Sequence, residues 1–199
     1  MKDILENKRY IADLKRALNN IDLSKLKNKD VAITGGLGLI GSAIVDLLYV
    51  SGVPDKIYVP ELRRDQFDVR YGKYKKIEFI SYDALTSLDL SITPTYIIHG
   101  AGLASPELYT QKPVETVLSN FNGVLEWLKF ASRNDVTRIL YISSSEVYGN
   151  KETNDPFKEG VYGKINIDSI RSSYSVAKRA SEMICKSFAQ EYGVDVVIV

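Results

Sequence analysis

The chain has 199 residues, 45% hydrophobic and 26% charged, which suits a globular fold of about one domain with a real core. Lys and Arg total 26 against 25 Asp and Glu, so the net charge of +1 lacks the basic excess of a nucleic-acid binder. One cysteine and one histidine exclude an internal disulfide and any metal site built on two histidines, so a metal-free site and a reducing, cytoplasmic setting are expected.

Residues 3–19 predict an amphipathic helix, with Ile4, Ile11, Leu14 and Leu18 on one face and a stop at Asn19-Asn20. Val31-Ala32-Ile33, flanked by charge and then glycine, reads as a buried parallel strand. The next helix is expected over 41–50. Strands are expected at 56–59, 77–81, 96–99, 138–143 and 194–199. Long helices are expected at 114–132, with Val117, Phe121, Leu125 and Leu128 on its apolar face, and at 173–192. Strands alternating with helices imply a parallel α/β sheet. Residues 1–28 form an extension, and 29–199 form the domain proper. The most apolar run, 39–50, contains Asp46 and is too short to span a bilayer, so no membrane partner is expected. The charged start, MKDILENKRY, lacks the apolar core of an export signal. Because 194–199 is a bare apolar strand, the chain is expected to be the N-terminal part of a longer protein.

Gly35, Gly38 and Gly41 lie between the first strand and the next helix. The first allows a sharp turn, the second a close backbone approach to a pyrophosphate, and the third helix-on-sheet packing. The helix start, with Leu39, Ile40 and Gly41, offers free N–H groups to phosphate. The alternative is an ordinary glycine turn. Glu61, twenty residues beyond Gly41, is placed to accept hydrogen bonds from a ribose and would favour NAD. Arg63 and Arg64 could instead hold a 2′-phosphate and favour NADP, or all three could be a solvated loop. Asp83 is a candidate for an adenine contact, or a turn residue.

Tyr174 and Lys178 are i and i+4 on one helix face. A phenol with a reference pKa of about 10 is a poor base at neutral pH, and an adjacent ammonium favours its ionised form. The segment 143–149, SSSEVYG, leaves the fifth strand at its carboxyl end, where α/β sheets bind ligands. A hydroxyl there can orient a substrate oxygen, although serines are also common at such exits.

The glycine loop, the serine cluster and Tyr-x-x-x-Lys, in that order, resemble the extended short-chain dehydrogenase/reductase superfamily in its nucleotide-sugar epimerase/dehydratase branch. The resemblance covers about residues 29–199 and implies a doubly wound parallel sheet (a Rossmann fold) with helices on both faces. The family's C-terminal substrate domain is expected to be absent from this chain. The resemblance implies Ser144 as the catalytic hydroxyl, Tyr174 as the base and Lys178 as its partner, the latter two also touching the cofactor. Asp83-Ala84 is similar to the family's adenine-contacting pair. His99-Gly100-Ala101-Gly102 is similar to a His-Leu-Ala-Ala stretch whose backbone lines the cofactor, and Asn120 to a structural asparagine. Ser144-Ser145-Glu146 resembles decarboxylases and dehydratases of the branch, making Glu146 a candidate acid/base or a loop carboxylate. Taken together, the resemblance implies an NAD(P)-dependent enzyme acting on a nucleotide-sugar, with homodimerisation through the helices at 114–132 and 173–192. These 199 residues alone are expected to bind dinucleotide but turn over poorly. A non-catalytic NAD(P)-binding sensor or scaffold, and a reductase with a non-sugar substrate, are the alternatives.

Overall fold

A computed structural model describes residues 4–153 and 155–199. Asp3, the expected start of the first helix, lies outside the described residues. The chain divides into two compact units. The first is Met1–Asp83, Leu90–Gly100 and Asp135–Arg138; the second is Ala84–Asp89, Ala101–Asn134 and Ile139–Val199.

The first unit contains α1 (Lys8–Leu18), β1 (Val31–Thr34), α2 (Leu39–Ser51), β2 (Ile57–Glu61), α3 (Arg64–Tyr71), β3 (Ile77–Ser81) and β4 (Tyr96–His99). β1 lies between β2 and β4, with Val31 opposite both Ile57 and Tyr96, and β2 continues onto β3 with Ile57 opposite Ile77. All of these pairings are parallel. Every residue of β1 is buried, as a strand covered on both faces requires. Val31, Ile33, Val45, Leu48, Ile57, Val59, Phe67, Tyr71 and Ile77 form one core. Each such apolar side chain contributes roughly 1.5–3 kcal/mol by leaving water.

Three local differences from expectation have physical causes. Asn7 caps α1, its side chain accepting from the N–H groups of Arg9 (3.0 Å) and Tyr10 (3.2 Å), so the helix starts at Lys8 rather than residue 3. β2 runs through Pro60 to Glu61, two residues beyond its expected end. Its pairing with β1 involves only Ile57 and Tyr58, so the missing N–H of Pro60 falls beyond that ladder. α3 has no counterpart among the expected elements, and its only signal is the i, i+4 pair Phe67 and Tyr71, both buried.

A carboxylate fastens α1 to α2 and α3. Asp46 of α2 is fully buried. It accepts hydrogen bonds from the hydroxyls of Tyr10 (2.8 Å) and Tyr71 (3.0 Å) and an ion pair from Arg70 (2.7 Å). A buried charge without such partners would be costly. Burial, followed by the hydrogen bond to Asp46, pushes the Tyr10 hydroxyl up to about 12.

The second unit holds α4 (Pro106–Gln111), α5 (Pro113–Ala131), most of β5 (Arg138–Tyr141), α6 (Ser173–Tyr192) and β6 (Val196–Ile198). β5 and β6 pair in parallel, with Ile139 opposite Val196. α4, too, is absent from the expected elements. β5 ends two residues before its expected end; the Ile142 carbonyl accepts from Lys178 (2.8 Å), although the Ser143 N–H still donates to the Val199 carbonyl (2.7 Å). The buried face of α5 also differs from its apolar stripe. Thr116, Asn120, Val124, Trp127 and Leu128 are buried, whereas Val117 is exposed and Phe121 and Leu125 are half-buried. The buried polar groups are anchored: Thr116 donates to the Lys112 carbonyl (2.8 Å), and Asn120 to the carbonyls of Leu103 (3.0 Å) and Thr116 (2.8 Å). α5 packs on α6, where Ser181 donates to the Asn120 carbonyl (3.1 Å) and Cys185 is buried. No helix among the described residues is long and apolar enough to cross a membrane.

Candidate active site

The first unit carries the phosphate-type loop. Gly35 turns the chain out of β1 with φ +70°, and its carbonyl accepts from the Gly38 N–H (2.9 Å). A Cβ on Gly41 would fall 2.1 Å from the Gly35 oxygen, so the loop closes onto the helix only with glycine there. Gly36, which lies outside the three-glycine spacing, is tight as well, though less so. Its Cβ would sit 2.8 Å from Val59 Cγ1 and 3.1 Å from the Ile33 oxygen. α2 begins at Gly38 with no side-chain cap, leaving its first N–H groups and positive dipole end for an anion. Leu39 and Ile40 at this start are exposed, Leu39 by 91%.

Glu61 comes to this loop: its Oε1 accepts from the Leu37 N–H at 3.2 Å. Arg64 does not. It pairs with Asp68 one turn along α3 (2.9 Å) and lies over the Phe79 ring. Asp83 and Ala84, half-buried, come after Tyr82, whose N–H donates to the Glu61 carbonyl (3.1 Å). His99 is buried with Nδ1 2.9 Å from the Thr34 hydroxyl, which also accepts from the Gly100 N–H (3.1 Å). It therefore fixes the ends of β1 and β4. Gly102 has φ +152°, and a Cβ there would meet Asn120 Oδ1 at 2.5 Å, which explains glycine at this point of the stretch.

The second unit carries the chemistry-bearing side chains. Tyr174 and Lys178 sit on α6 and are 6% and 5% exposed. The Lys178 ammonium donates to the Ile142 carbonyl and stands over the rings of Tyr141 (4.7 Å) and Tyr174 (5.8 Å). Burial pulls Lys178 down to about 8, so it is still mostly a cation at neutral pH. Ser144 is half-buried and caps a one-turn 3-10 helix, 145–148, by accepting from the Glu146 N–H (3.2 Å). Its neighbours are less suited: Ser143 donates to Glu182 (2.6 Å), and Ser145 is exposed.

Glu146 is heavily engaged. Both oxygens pair with Arg171, and Oε2 also accepts from Ser175 (2.5 Å). The Arg171 hydrogen bonds hold its carboxyl below the usual range, so it is an ionised acceptor. Tyr109 of α4 lies flat on Tyr174, ring centroids 4.4 Å apart and planes 6° apart, and Arg171 stands over Tyr109 at 5.1 Å. Sequence reasoning missed Tyr109, Arg171 and Ser175. Only their nearness in sequence to Tyr174 hinted at the last two, and nothing hinted at Tyr109.

The model of the NAD dependent epimerase/dehydratase family matches residues 31–199. The chain belongs to that family. UDP-glucuronic acid decarboxylase 1 of Danio rerio is 32% identical over 178 residues, covering 87% of this chain and 41% of the relative. UDP-glucuronic acid decarboxylase 4 of Arabidopsis thaliana is 32% identical over 193 residues, covering 95% and 42%. Among solved structures, a UDP-N-acetylglucosamine 4-epimerase from Methanobrevibacter ruminantium M1, in complex with UDP-N-acetylmuramic acid, superposes with a TM-score of 0.72 at 27% identity, covering 86% of this chain and 54% of that one. The chain thus spans about half the length of the relatives it matches. The turn at 35–41 has the features that a dinucleotide's pyrophosphate would need. It admits no Cβ at Gly41 and ends on an uncapped helix start.

Proposed function

We propose that the protein oxidises C4 of a nucleotide-activated sugar with NAD, and that a UDP-uronic acid is its first substrate to test. One observation carries this reading: two nearly buried side chains, Tyr174 and Lys178, meet on α6 in a chain of the epimerase/dehydratase family. Gly35, Gly38, Leu39, Ile40 and Gly41 would hold the pyrophosphate through backbone N–H groups. Glu61, Asp83 and Ala84 would meet the adenosine, and the backbone of Gly100, Ala101 and Gly102 would line the dinucleotide. When bound, NAD supplies a hydride acceptor for the sugar carbon and can return the hydride.

Tyr174 takes the proton of the 4-hydroxyl. Lys178 supports the phenolate by its charge. Ser144 orients the sugar oxygen, since its hydroxyl proton remains available while its oxygen accepts from Glu146. Glu146, ionised, can accept a proton but has none to give, so it serves as base or anchor at the sugar. NAD is preferred over NADP because Glu61 faces the loop while Asp68 occupies Arg64.

The test incubates the protein with NAD or NADP and a panel of UDP-sugars, and follows product by chromatography. Tyr174→Phe is expected to lower turnover by about 10²–10⁴-fold while leaving dinucleotide affinity unchanged. A variant that turns over like wild type removes the proposal.

A further inference from the structure

We propose that Arg179 is a positioning residue, clamping from α6 the turn that carries Ser144 and Glu146. This role rests on the proposed C4 oxidation and deepens it, because that turn holds the hydroxyl and the carboxylate assigned to the sugar. Three hydrogen bonds make the clamp. Arg179 Nε donates to the Val147 carbonyl (2.5 Å), and Nη2 donates to the carbonyls of Tyr148 (3.2 Å) and Gly163 (2.8 Å).

A single 3-10 turn leaves its last carbonyls without partners inside the helix. In the turn 145–148 those carbonyls belong to Val147 and Tyr148, and a cation serves them, the charge that a helix C-terminus favours. At the other end Ser144 Oγ accepts from the Glu146 N–H (3.2 Å), so the turn is pinned at both ends. The preceding residue of α6 acts in the same way upstream, where Lys178 donates to the Ile142 carbonyl (2.8 Å). Successive helix residues point about 100° apart. Lys178 and Arg179 therefore grip the facing segment on either side of Ser144 and Glu146. Arg171 and Ser175 fix the Glu146 carboxylate, whereas Arg179 fixes the backbone on which it stands.

The segment 161–164 closes onto the same guanidinium. The Gly163 N–H donates to the Tyr148 carbonyl (2.7 Å), and Asn150 and Lys164 exchange both backbone hydrogen bonds at 2.8 Å. This approach needs glycine twice. Gly149 has φ +68°, and a Cβ there would fall 2.6 Å from the Lys164 oxygen and 3.0 Å from Arg179 Nη2. A Cβ on Gly163 would fall 2.1 Å from the Asn150 oxygen. The Arg179 guanidinium stands over the Tyr162 ring at 5.4 Å, and Tyr162 stacks on Tyr148 with planes 24° apart. An ordinary loop anchor would serve carbonyls remote from the reacting groups. Here two of the three belong to the residues directly after Glu146, so a shift of the guanidinium carries Ser144 and Glu146 with it. Lysine keeps the charge but lacks the planar fork that reaches all three oxygens.

In the full protein, Arg179→Ala is expected to lower kcat on the UDP-sugar that wild type turns over by about 10²-fold, the cost of a misplacement near 1 Å. KM should stay within about twofold, as for an interaction felt in the transition state. NAD affinity should be unchanged, since the loop at 35–41 is untouched. Arg179→Lys should fall between the two. Guanidinium added at millimolar concentration, far below denaturing levels, should return part of the lost kcat to Arg179→Ala and none to Tyr174→Phe. Near-ultraviolet circular dichroism checks that the variants fold. A second arm needs no turnover: in Arg179→Ala the amides of Asn150, Gly163 and Lys164 should exchange with deuterium about tenfold faster or more, with β5 unchanged. If wild type turns over no nucleotide-sugar and this exchange still quickens, the C4-oxidation reading fails and the clamp stands. Unchanged exchange in folded Arg179→Ala overturns the clamp. Quickened exchange with a wild-type kcat overturns it too, leaving Arg179 a loop anchor with no part in positioning.

Discussion

Lys178 holds its charge at a cost to the fold. Its ammonium is buried, and burial lowers it from the ordinary lysine range to about 8. Below that pH it is charged in both folded and unfolded chains, so the full burial cost is present. As pH rises from about 8 toward the unfolded value, the unfolded chain binds more protons than the folded one, and stability recovers. Lys178→Met is therefore expected to be more stable than wild type at pH 7 by about 1–2 kcal/mol, after allowing for the orphaned Ile142 carbonyl. The gap should shrink between pH 8 and 10.5. Urea unfolding at both ends of that window checks it. A gap of constant size would show that the charge is not what the fold opposes. The residues easiest to read from sequence were those whose chemistry lies in local spacing, such as Gly35, Gly41, Tyr174 and Lys178. Tyr109 was invisible because its partner is 65 positions away and nothing near it in sequence marks a site. Arg64 shows the limit of reading charge alone, which cannot say that Asp68, four residues on, pairs with it.

Elements were legible where a single period or a glycine decided them. All six strands and the four longer helices, α1, α2, α5 and α6, appear where patterning placed them, with ends shifted by a few residues. α3 and α4, of eight and six residues, escaped because such short helices present barely two turns of pattern. The face of α5 was misread for a different reason: Thr116 and Asn120 turn inward, where backbone carbonyls accept from the Thr116 hydroxyl and the Asn120 Nδ2, and a hydropathy stripe counts them as outward. At this scale α1 has an identifiable fastening. Tyr10→Phe removes one of the three partners of Asp46 and should weaken the docking of α1 by about 1–2 kcal/mol. Amide exchange along 8–18 should quicken roughly tenfold, with β1 and β2 unchanged. Equal acceleration everywhere would mean that the hydroxyl stabilises the whole unit rather than one helix.

Across the whole chain the two units divide the expected labour: backbone N–H groups and a ribose-type carboxylate in the first, side chains able to move protons in the second. Alternation of strands and helices made the parallel sheet readable, and with it the loop ends where ligands bind. It could not show how the serines differ from one another, which depends on contacts such as that of Ser143 with Glu182.

One quiet atom on α6 offers a way to watch the molecule. Cys185 is the chain's lone thiol, fully enclosed, and burial pushes it up to about 12. Only the thiolate reacts readily. In the folded protein this sulfur should stay silent toward iodoacetamide and then label in a single step once α6 lifts away. Its labelling rate would serve as a clock for opening of the helix that carries Tyr174 and Lys178, and a bound dinucleotide that grips those side chains should slow the clock.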